Sequence, residues 1–206
     1  MRVVSWNLLW QNGAGIDDLG RLVETHRPDL VLMQEATLPA DALTRQLGGF
    51  CVRKAMSGQL YGLAVWSPRR FTTTVEPLPV ASKFDLPVPL FRLIDARLAL
   101  IVCLDGLQIA TVHLDHGQIA NRRQLRHLLR AHEQLHAVIG DFNALGTLSL
   151  TGFADVGPRC ATHRAKGLVP LRLDRCLIRG LRCTNAVSLA YGKSDHRPIL
   201  MDLEPI

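Results

Sequence analysis

The stretch His136-Ala137-Val138-Ile139-Gly140-Asp141-Phe142-Asn143 is a short apolar run that ends on a carboxylate and an amide. Residues 136–140 are too few for a stable helix, and Val138-Ile139 carry the branching that suits a strand. A strand that delivers polar residues at its end recurs along the chain. Residues 2–8 read as a strand, with Asn7 behind Val3-Val4-Ser5-Trp6. Pro28 resets the chain before Leu30-Val31-Leu32-Met33, a buried strand ending on Gln34-Glu35. Ile109-Ala110-Thr111-Val112 leads to His113, Asp174 lies within residues 171–178, and Asp195-His196 precede the last strand, 198–203. Groups held at strand ends by a rigid sheet are well placed for chemistry.

Between these strands the period changes to that of helices. Residues 16–25 place Leu19, Leu22 and Val23 on one face; residues 39–47 open on a proline, tolerated in a first turn; residues 120–132 carry Leu125, Leu128 and Leu129. Further strands are predicted at 63–66, 71–75, 91–103, 107–114 and 183–189, with a hairpin turn at Asp105-Gly106. The stretch from Pro77 to Pro89 reads as a strand end followed by a long loop. Helices that come singly between strands imply one α/β domain over residues 1–206: two packed, mixed and mainly antiparallel sheets flanked by helices.

With 48% hydrophobic residues the chain can bury a core without disulfides. Its five cysteines, Cys51, Cys103, Cys160, Cys176 and Cys183, are scattered without a CxxC, which disfavours a disulfide framework or zinc knuckle. Neither a signal peptide nor an apolar run of membrane-spanning length is visible. A cytoplasmic monomer without stable membrane insertion is the expectation. The formal charge is +6 and the pI about 9.4, which suits polyanionic partners such as nucleic acid or anionic headgroups. Twenty of the 24 basic residues are arginines spread from Arg2 to Arg197, so charge alone is weak support.

Glu35 emerges from a run apolar enough to be buried, and a buried carboxylate needs a positive partner. A set of Asn, Glu and Asp oxygens suits a hard cation, Mg²⁺ or Mn²⁺. Each residue also has an ordinary explanation: Asn7 a strand-end amide, Glu35 half of an ion pair, Asp141-Phe142-Asn143 an Asx turn, His196 a hydrogen-bonded core histidine. Their joint occurrence is harder to explain that way.

Trp6-Asn7-Leu8, Gln34-Glu35, Val112-His113-Leu114, Gly140-Asp141-Phe142-Asn143, Leu173-Asp174-Arg175 and Ser194-Asp195-His196-Arg197-Pro198 resemble, in order, the signature blocks of the endonuclease/exonuclease/phosphatase superfamily. The resemblance implies a four-layer DNase I-like α/β sandwich with its site in a cleft between the sheet edges. It implies metal ligation by Glu35, with Asn7 beside it and Asp195 where a second metal ligand can sit. It assigns Asp141 to orienting or deprotonating the attacking water, Asn143 to holding phosphate or that water, and His196 to stabilising phosphoryl oxygens and assisting proton transfer. Asp174 would orient the His196 imidazole, and His113 matches a phosphate-binding or acid position. The activity implied is metal-dependent hydrolysis of a phosphodiester, in nucleic acid or a smaller or lipid-linked diester. The alternatives are a phosphomonoesterase of a sugar, inositol or lipid phosphate, and a catalytically silent binding module.

Three departures accompany the resemblance. Leu9 stands where repair-type relatives have aspartate, Gln59-Leu60-Tyr61-Gly62 offers His113 no acidic partner, and Arg175 follows Asp174 where many relatives have tyrosine. Arg175 is therefore expected beside the substrate phosphate, with His116 as a second substrate contact; His163 is left open between substrate contact and solvated side chain. Arg122, Arg126 and Arg130 form a basic helix stripe, read as solvated or as a phosphate rim. His26, His127, His132 and His136 are expected in solvent.

Overall fold

Period-two alternation sends neighbouring residues of the same strand into different layers. A computed structural model describes residues 1–80, 96–148, 150–165 and 169–206. The first elements are β1 (Arg2–Asn7), α1 (Ile16–His26), β2 (Leu30–Ala36), α2 (Ala40–Leu47), β3 (Phe50–Ala55), β4 (Gly62–Ser67) and β5 (Thr72–Pro77). Then come β6 (Leu98–Leu104), β7 (Leu107–His113), α3 (Gln118–Ala131), β8 (Ala137–Asp141) and β9 (Ala154–Asp155). The chain closes with β10 (His163–Ala165), β11 (Val169–Leu171), β12 (Asp174–Ile178), β13 (Leu181–Ser188) and β14 (Ile199–Pro205).

One sheet runs β13-β14-β1-β2-β4-β3 and the other β5-β6-β7-β8-β12-β9, with β10 and β11 as a separate hairpin. Val3, Leu30 and Leu32 pack with Leu100, Val102, Ile109 and Ile139 in the core between the sheets. Their neighbours Val4, Val31 and Met33 face the other way, against Leu19, Leu22 and Leu43 of α1 and α2. On the second sheet Ala99, Ala110 and Val138 turn outward to Leu125 and Leu128 of α3. The result is four layers, helices–sheet–sheet–helix, and strands buried on both faces read as near-continuous apolar runs.

Each sheet has one parallel pair at its centre, β1 with β2 and β7 with β8. α1 connects the first pair and α3 the second. Asn7, Glu35, His113 and Asp141 all lie at or near the C-terminal ends of these strands, the usual place for a ligand in an α/β sheet. Gly140 is required there: at φ +144 it runs so close to β7 that a Cβ would lie 2.2 Å from the Val112 carbonyl oxygen.

The hairpin predicted at Asp105-Gly106 forms between β6 and β7, with φ of +51 and +80 at those residues. Part of the predicted strand 91–103, residues 91–95, lies outside the described residues, as do residues 81–89 of the predicted loop. β3, β9 and the β10–β11 hairpin were not anticipated. β3 is an edge strand of half-buried and exposed side chains, and β9 is two residues long. No helix among the described residues is long and apolar enough to cross a membrane.

Candidate active site

Asn7 ends β1 with its amide buried; Nδ2 donates to Glu35 Oε1 at 3.2 Å and to Asp141 Oδ2 at 3.0 Å, while Oδ1 accepts the Leu9 amide at 3.1 Å. One amide thus spans a carboxylate from each sheet. Glu35 reaches it through a bulge: the β2–β4 register slips between Met33 and Ala36, and Glu35 itself adopts φ +53. A bulge and a left-handed non-glycine re-aim a side chain that regular pleating would send elsewhere. The second Glu35 oxygen accepts the Trp10 amide at 3.1 Å. No lysine or arginine among the described residues pairs with Glu35.

Asp141 closes β8 as an Asx turn: Oδ1 accepts the Asn143 amide at 2.9 Å, and Asn143 takes φ +49. The ordinary explanation for this stretch and its place in the site are therefore both true. Asn143 is held by Nδ2 donating to the Leu114 carbonyl and by its own carbonyl accepting Gln118 and Asn121 amides from α3.

His196 is clamped from both ends. Its Nδ1 lies 2.8 Å from Asp174 Oδ2, its carbonyl accepts Trp6 Nε1 at 3.0 Å, and its amide donates to Ser194 Oγ, which in turn donates to the Asn7 carbonyl. Trp6 and Ser194 thus fasten the loop before β14 to β1. Burial opposes a charged imidazole here, but Asp174, Asp141 and Asp195 outweigh it and raise the His196 pKa to about 10. Its Nε2 lies 3.6 Å from Asp141 Oδ2. Burial likewise opposes ionisation of Asp141, and the charge of His196, with the Asn143 and Asn7 hydrogen bonds, brings it down to about 2. Asp174, fully buried, is pushed up by burial although His196 pulls the other way. Thr162 Oγ1 accepts the amides of Leu173 and Asp174 and fixes the start of β12.

His113 is buried and held well below its usual pKa, first by burial and then by Arg97, so its imidazole is neutral. Its Nε2 faces Asp141 Oδ2 at 3.7 Å and Glu35 Oε1 at 3.8 Å, while Nδ1 finds no partner among the described residues. The acidic neighbours unassigned from sequence are therefore Glu35 and Asp141. His116 is at the exposed mouth, edge-on to His113 at 6.4 Å between ring centroids. Glu35, His113, His116, Asp141, Asn143 and His196, with His163, Leu145 and Leu171, line a cleft of about 360 Å³.

Asp195 lies on the His196 side, with Oδ2 3.3 Å from His163 Nε2. The ligating atoms of Asp195, His163 and His196 all fall within 4.8 Å of one another, and the two imidazole rings lie 4.4 Å apart, tilted by 43°. His163 therefore belongs to the cleft. β10 presents it, and an isolated bridge pairs it with His196. The only sequence signal was its place near the Asp174 block.

Arg175 needs correction. Strand alternation turns it to the face opposite Asp174, away from the cleft. It is buried, donating to Asp155 Oδ2 at 3.0 Å and to the Ala144 and Gly146 carbonyls at 3.0 and 2.7 Å. It braces the loop after Asn143. Arg122 does similar work, bonding the Gln118 and Leu145 carbonyls, whereas Arg126 and Arg130 are exposed. His127 and His132 are not merely solvated, because both bond the Glu76 carboxylate of β5, at 2.8 and 2.9 Å. His136 accepts the Gln108 amide through Nδ1.

Glu35 and Asp141 bring two carboxylates to either side of the Asn7 amide, an oxygen donor chemistry that fits Mg²⁺ or Mn²⁺; Asn7 itself turns Nδ2 to both and Oδ1 to the Leu9 amide. A DNase I-like sandwich with carboxylate, amide and imidazole groups converging at the strand ends is the architecture of phosphoester hydrolases. The chain belongs to the Endonuclease/Exonuclease/phosphatase family, whose profile it matches over residues 4–196. No curated protein sequence matches it. Among solved structures, a functionally unknown conserved protein from Enterococcus faecalis is similar at a TM-score of 0.77 and 19% identity, covering 100% of both chains. TDP2 from D. rerio, complexed with a single-strand DNA product, gives 0.71 and 17%, covering 99% of this chain and 98% of that one. A mannosyl-6-phosphatase from Bacteroides thetaiotaomicron gives 0.66 and 16%, with 99% of each chain covered. At these identities the likeness is one of fold.

Proposed function

We propose that the chain is a divalent-metal-dependent phosphoesterase that hydrolyses a phosphodiester by attack of water. The observation that carries this reading is the line of groups across the two sheets: Asp174 bonded to His196 at 2.8 Å, His196 3.6 Å from Asp141, and Asp141 joined through Asn7 to Glu35.

Phosphoryl transfer asks a protein for positioning and charge neutralisation more than for covalent chemistry. Glu35 would hold the cation, with Asn7 beside it once its amide turns Oδ1 inward, and the ion would supply Lewis acidity toward a phosphoryl oxygen. Asp141 stays ionised, and a carboxylate with a pKa near 2 orients an attacking water more than it removes its proton. His196, kept cationic by Asp174, donates from Nε2 to a phosphoryl oxygen as charge builds there. His113 is neutral; with no acceptor beside Nδ1 its proton belongs on Nε2, where it can donate to a second oxygen. Water's oxygen forms the new bond to phosphorus and its proton passes to a phosphoryl oxygen and on to solvent, while the bond to the departing alkoxide breaks and that oxygen takes a proton from solvent. Asp195 and His163 define the opposite wall and could take a second cation.

A monoesterase reading shares all these groups; the fold likeness to the mannosyl-6-phosphatase keeps it as the second reading. The silent-module reading fits less well, since Asp141 and Asp174 are wholly buried at a cost that a binding surface does not require.

The test compares an aryl phosphodiester, an aryl phosphomonoester and plasmid DNA, each with Mg²⁺, Mn²⁺ or chelator. Wild type is run beside Glu35→Ala and His196→Ala. Metal-dependent turnover that drops by about 10²–10⁴ in both variants is the expected result. A folded wild type that turns over none of the three with any metal would sink the reading.

A further inference from the structure

A second groove of about 360 Å³ adjoins the cleft, and Leu145 and Leu171 line both, so the two meet across a shared apolar saddle. Its charged walls are Arg159, Arg172 and Arg175 against a single carboxylate, Asp155. That carboxylate is already engaged. Arg172 takes it bidentately at 2.7 and 2.8 Å, and Arg175 holds Oδ2 at 3.0 Å. One carboxylate cannot neutralise three guanidiniums, and an uncompensated cationic pair costs free energy unless an anion visits. Two further observations show that the Arg175 charge is only partly offset where it stands. The Arg175 side chain is about 4% exposed, yet its Nε finds no acceptor among the described residues. Its pKa is also lowered, first by burial and then by the charge of Arg172, with Arg122 adding to the effect.

We infer that this arginine groove is a subsite for a second phosphate of the substrate, and that the substrate is therefore a nucleic acid strand. The inference rests on the phosphodiesterase reading of the cleft. A strand whose scissile phosphate lies among Asp141, His196 and Glu35 would cross the Leu145–Leu171 saddle with a sugar or base. The neighbouring phosphate then enters the groove, where Arg159, exposed at its rim, meets it first. A small monoester carries no second phosphate and leaves the groove unused. Arg172 and Arg175 are held too firmly to move, so they act as a fixed positive field behind Arg159, and specificity here is for backbone charge, not for sequence.

The test uses Arg159→Glu and, from the opposite lip, Thr147→Glu, both at exposed positions where folding is not at stake. Substrates are a single-stranded oligonucleotide of about ten nucleotides and bis(p-nitrophenyl) phosphate, which has one phosphate. Each variant should lower the ratio of oligonucleotide to aryl-diester kcat/KM about tenfold, mainly through KM. Arg159→Glu should also reduce the salt dependence of the oligonucleotide KM by about one phosphate contact. An unchanged ratio, or a wild type that cleaves the aryl diester but neither cleaves nor binds the oligonucleotide, overturns the inference and leaves the phosphodiesterase reading standing. If wild type cleaves neither substrate, that reading fails, and fluorescence anisotropy of the labelled oligonucleotide decides the groove separately. Weaker binding by both variants than by wild type supports the subsite, and equal binding, or no binding by wild type, overturns it.

Discussion

His196 carries a charge that its buried position would refuse were Asp174 not 2.8 Å from Nδ1. An imidazole fixed in tautomer and charge by one carboxylate depends on it for both. Asp174→Asn keeps the shape and removes the charge, so the His196 pKa should fall from about 10 and the imidazole should lose its proton nearer neutrality. The cationic form is lost as pH rises through the new, lower value. We expect kcat to fall by about 10²–10⁴ at pH 8 with KM little altered, and part of the loss to be recovered at lower pH. A kcat within threefold of wild type across pH 6–9 would show that Asp174 does not position His196. The residues of this line were legible in the sequence because each stands at a strand end in a fixed order. The place of Arg175 is not legible from its adjacency to Asp174, because consecutive residues of a strand face opposite ways. The place of His163 is not legible in the sequence, because a two-stranded hairpin of three-residue strands gives no periodic signal.

At the scale of elements, the histidines of α3 and the residue after it anchor an otherwise exposed edge. β5 ends the second sheet, and its Glu76 receives His127 and His132 on its two oxygens. An edge strand tied down in this way is less available for pairing with another chain. This tie was illegible because Glu76 is 51 and 56 residues from its partners and neither histidine forms a motif with it. The long strands, by contrast, announced themselves through two-sided burial, and β3 escaped because its face is half polar. Burial would raise the Glu76 carboxyl, but hydrogen bonds from His132 and His127 outweigh it and hold it below its usual value. The folded chain therefore binds fewer protons than the unfolded chain near pH 4, and stability rises with pH there. The contribution is complete above the unfolded value of about 4.3 and is lost as pH falls through the lower folded value. With His127 about 41% exposed, water screens part of the effect, and roughly 1 kcal/mol is its scale. Urea unfolding of Glu76→Gln should show a deficit of that order at pH 6 that shrinks steadily below pH 4. A deficit that does not depend on pH would assign the loss to packing instead of charge.

Across the whole molecule the site is a seam. Asn7 and Glu35 ride on one sheet, Asp141 and Asp174 on the other, and His196 on the loop that β1 holds in place. The four-layer plan was readable because apolar strands buried on both sides require covering on both sides, and single helices between them supply it. The positive φ at Glu35 is not readable, because glutamate does not advertise a left-handed backbone, whereas Asn143 is of a type that adopts it more readily. Asn7 hydrogen-bonds the carboxylates of Glu35 and Asp141 across the seam, His113 Nε2 faces both, and their like charges repel. A divalent cation drawing on this set has its ligands assembled only when both sheets are docked, so it binds the folded chain and not the unfolded one. At a hundred times its dissociation constant such an ion adds about 2.7 kcal/mol, which for a domain of this size raises Tm by roughly 5–10 °C. Calorimetry with increasing Mn²⁺ or Mg²⁺ should display that rise in wild type and its reversal by chelator. Glu35→Gln should lose the rise, yet in chelator it should melt no lower than wild type, since removing one of two facing carboxylates relieves repulsion while keeping the amide-sized side chain in place. An equal metal-induced rise in Glu35→Gln would place the cation elsewhere in the fold, and no rise in wild type at 10 mM of either ion, about the highest useful concentration for a weak Mg²⁺ site, would remove Glu35 and Asn7 as a metal centre altogether.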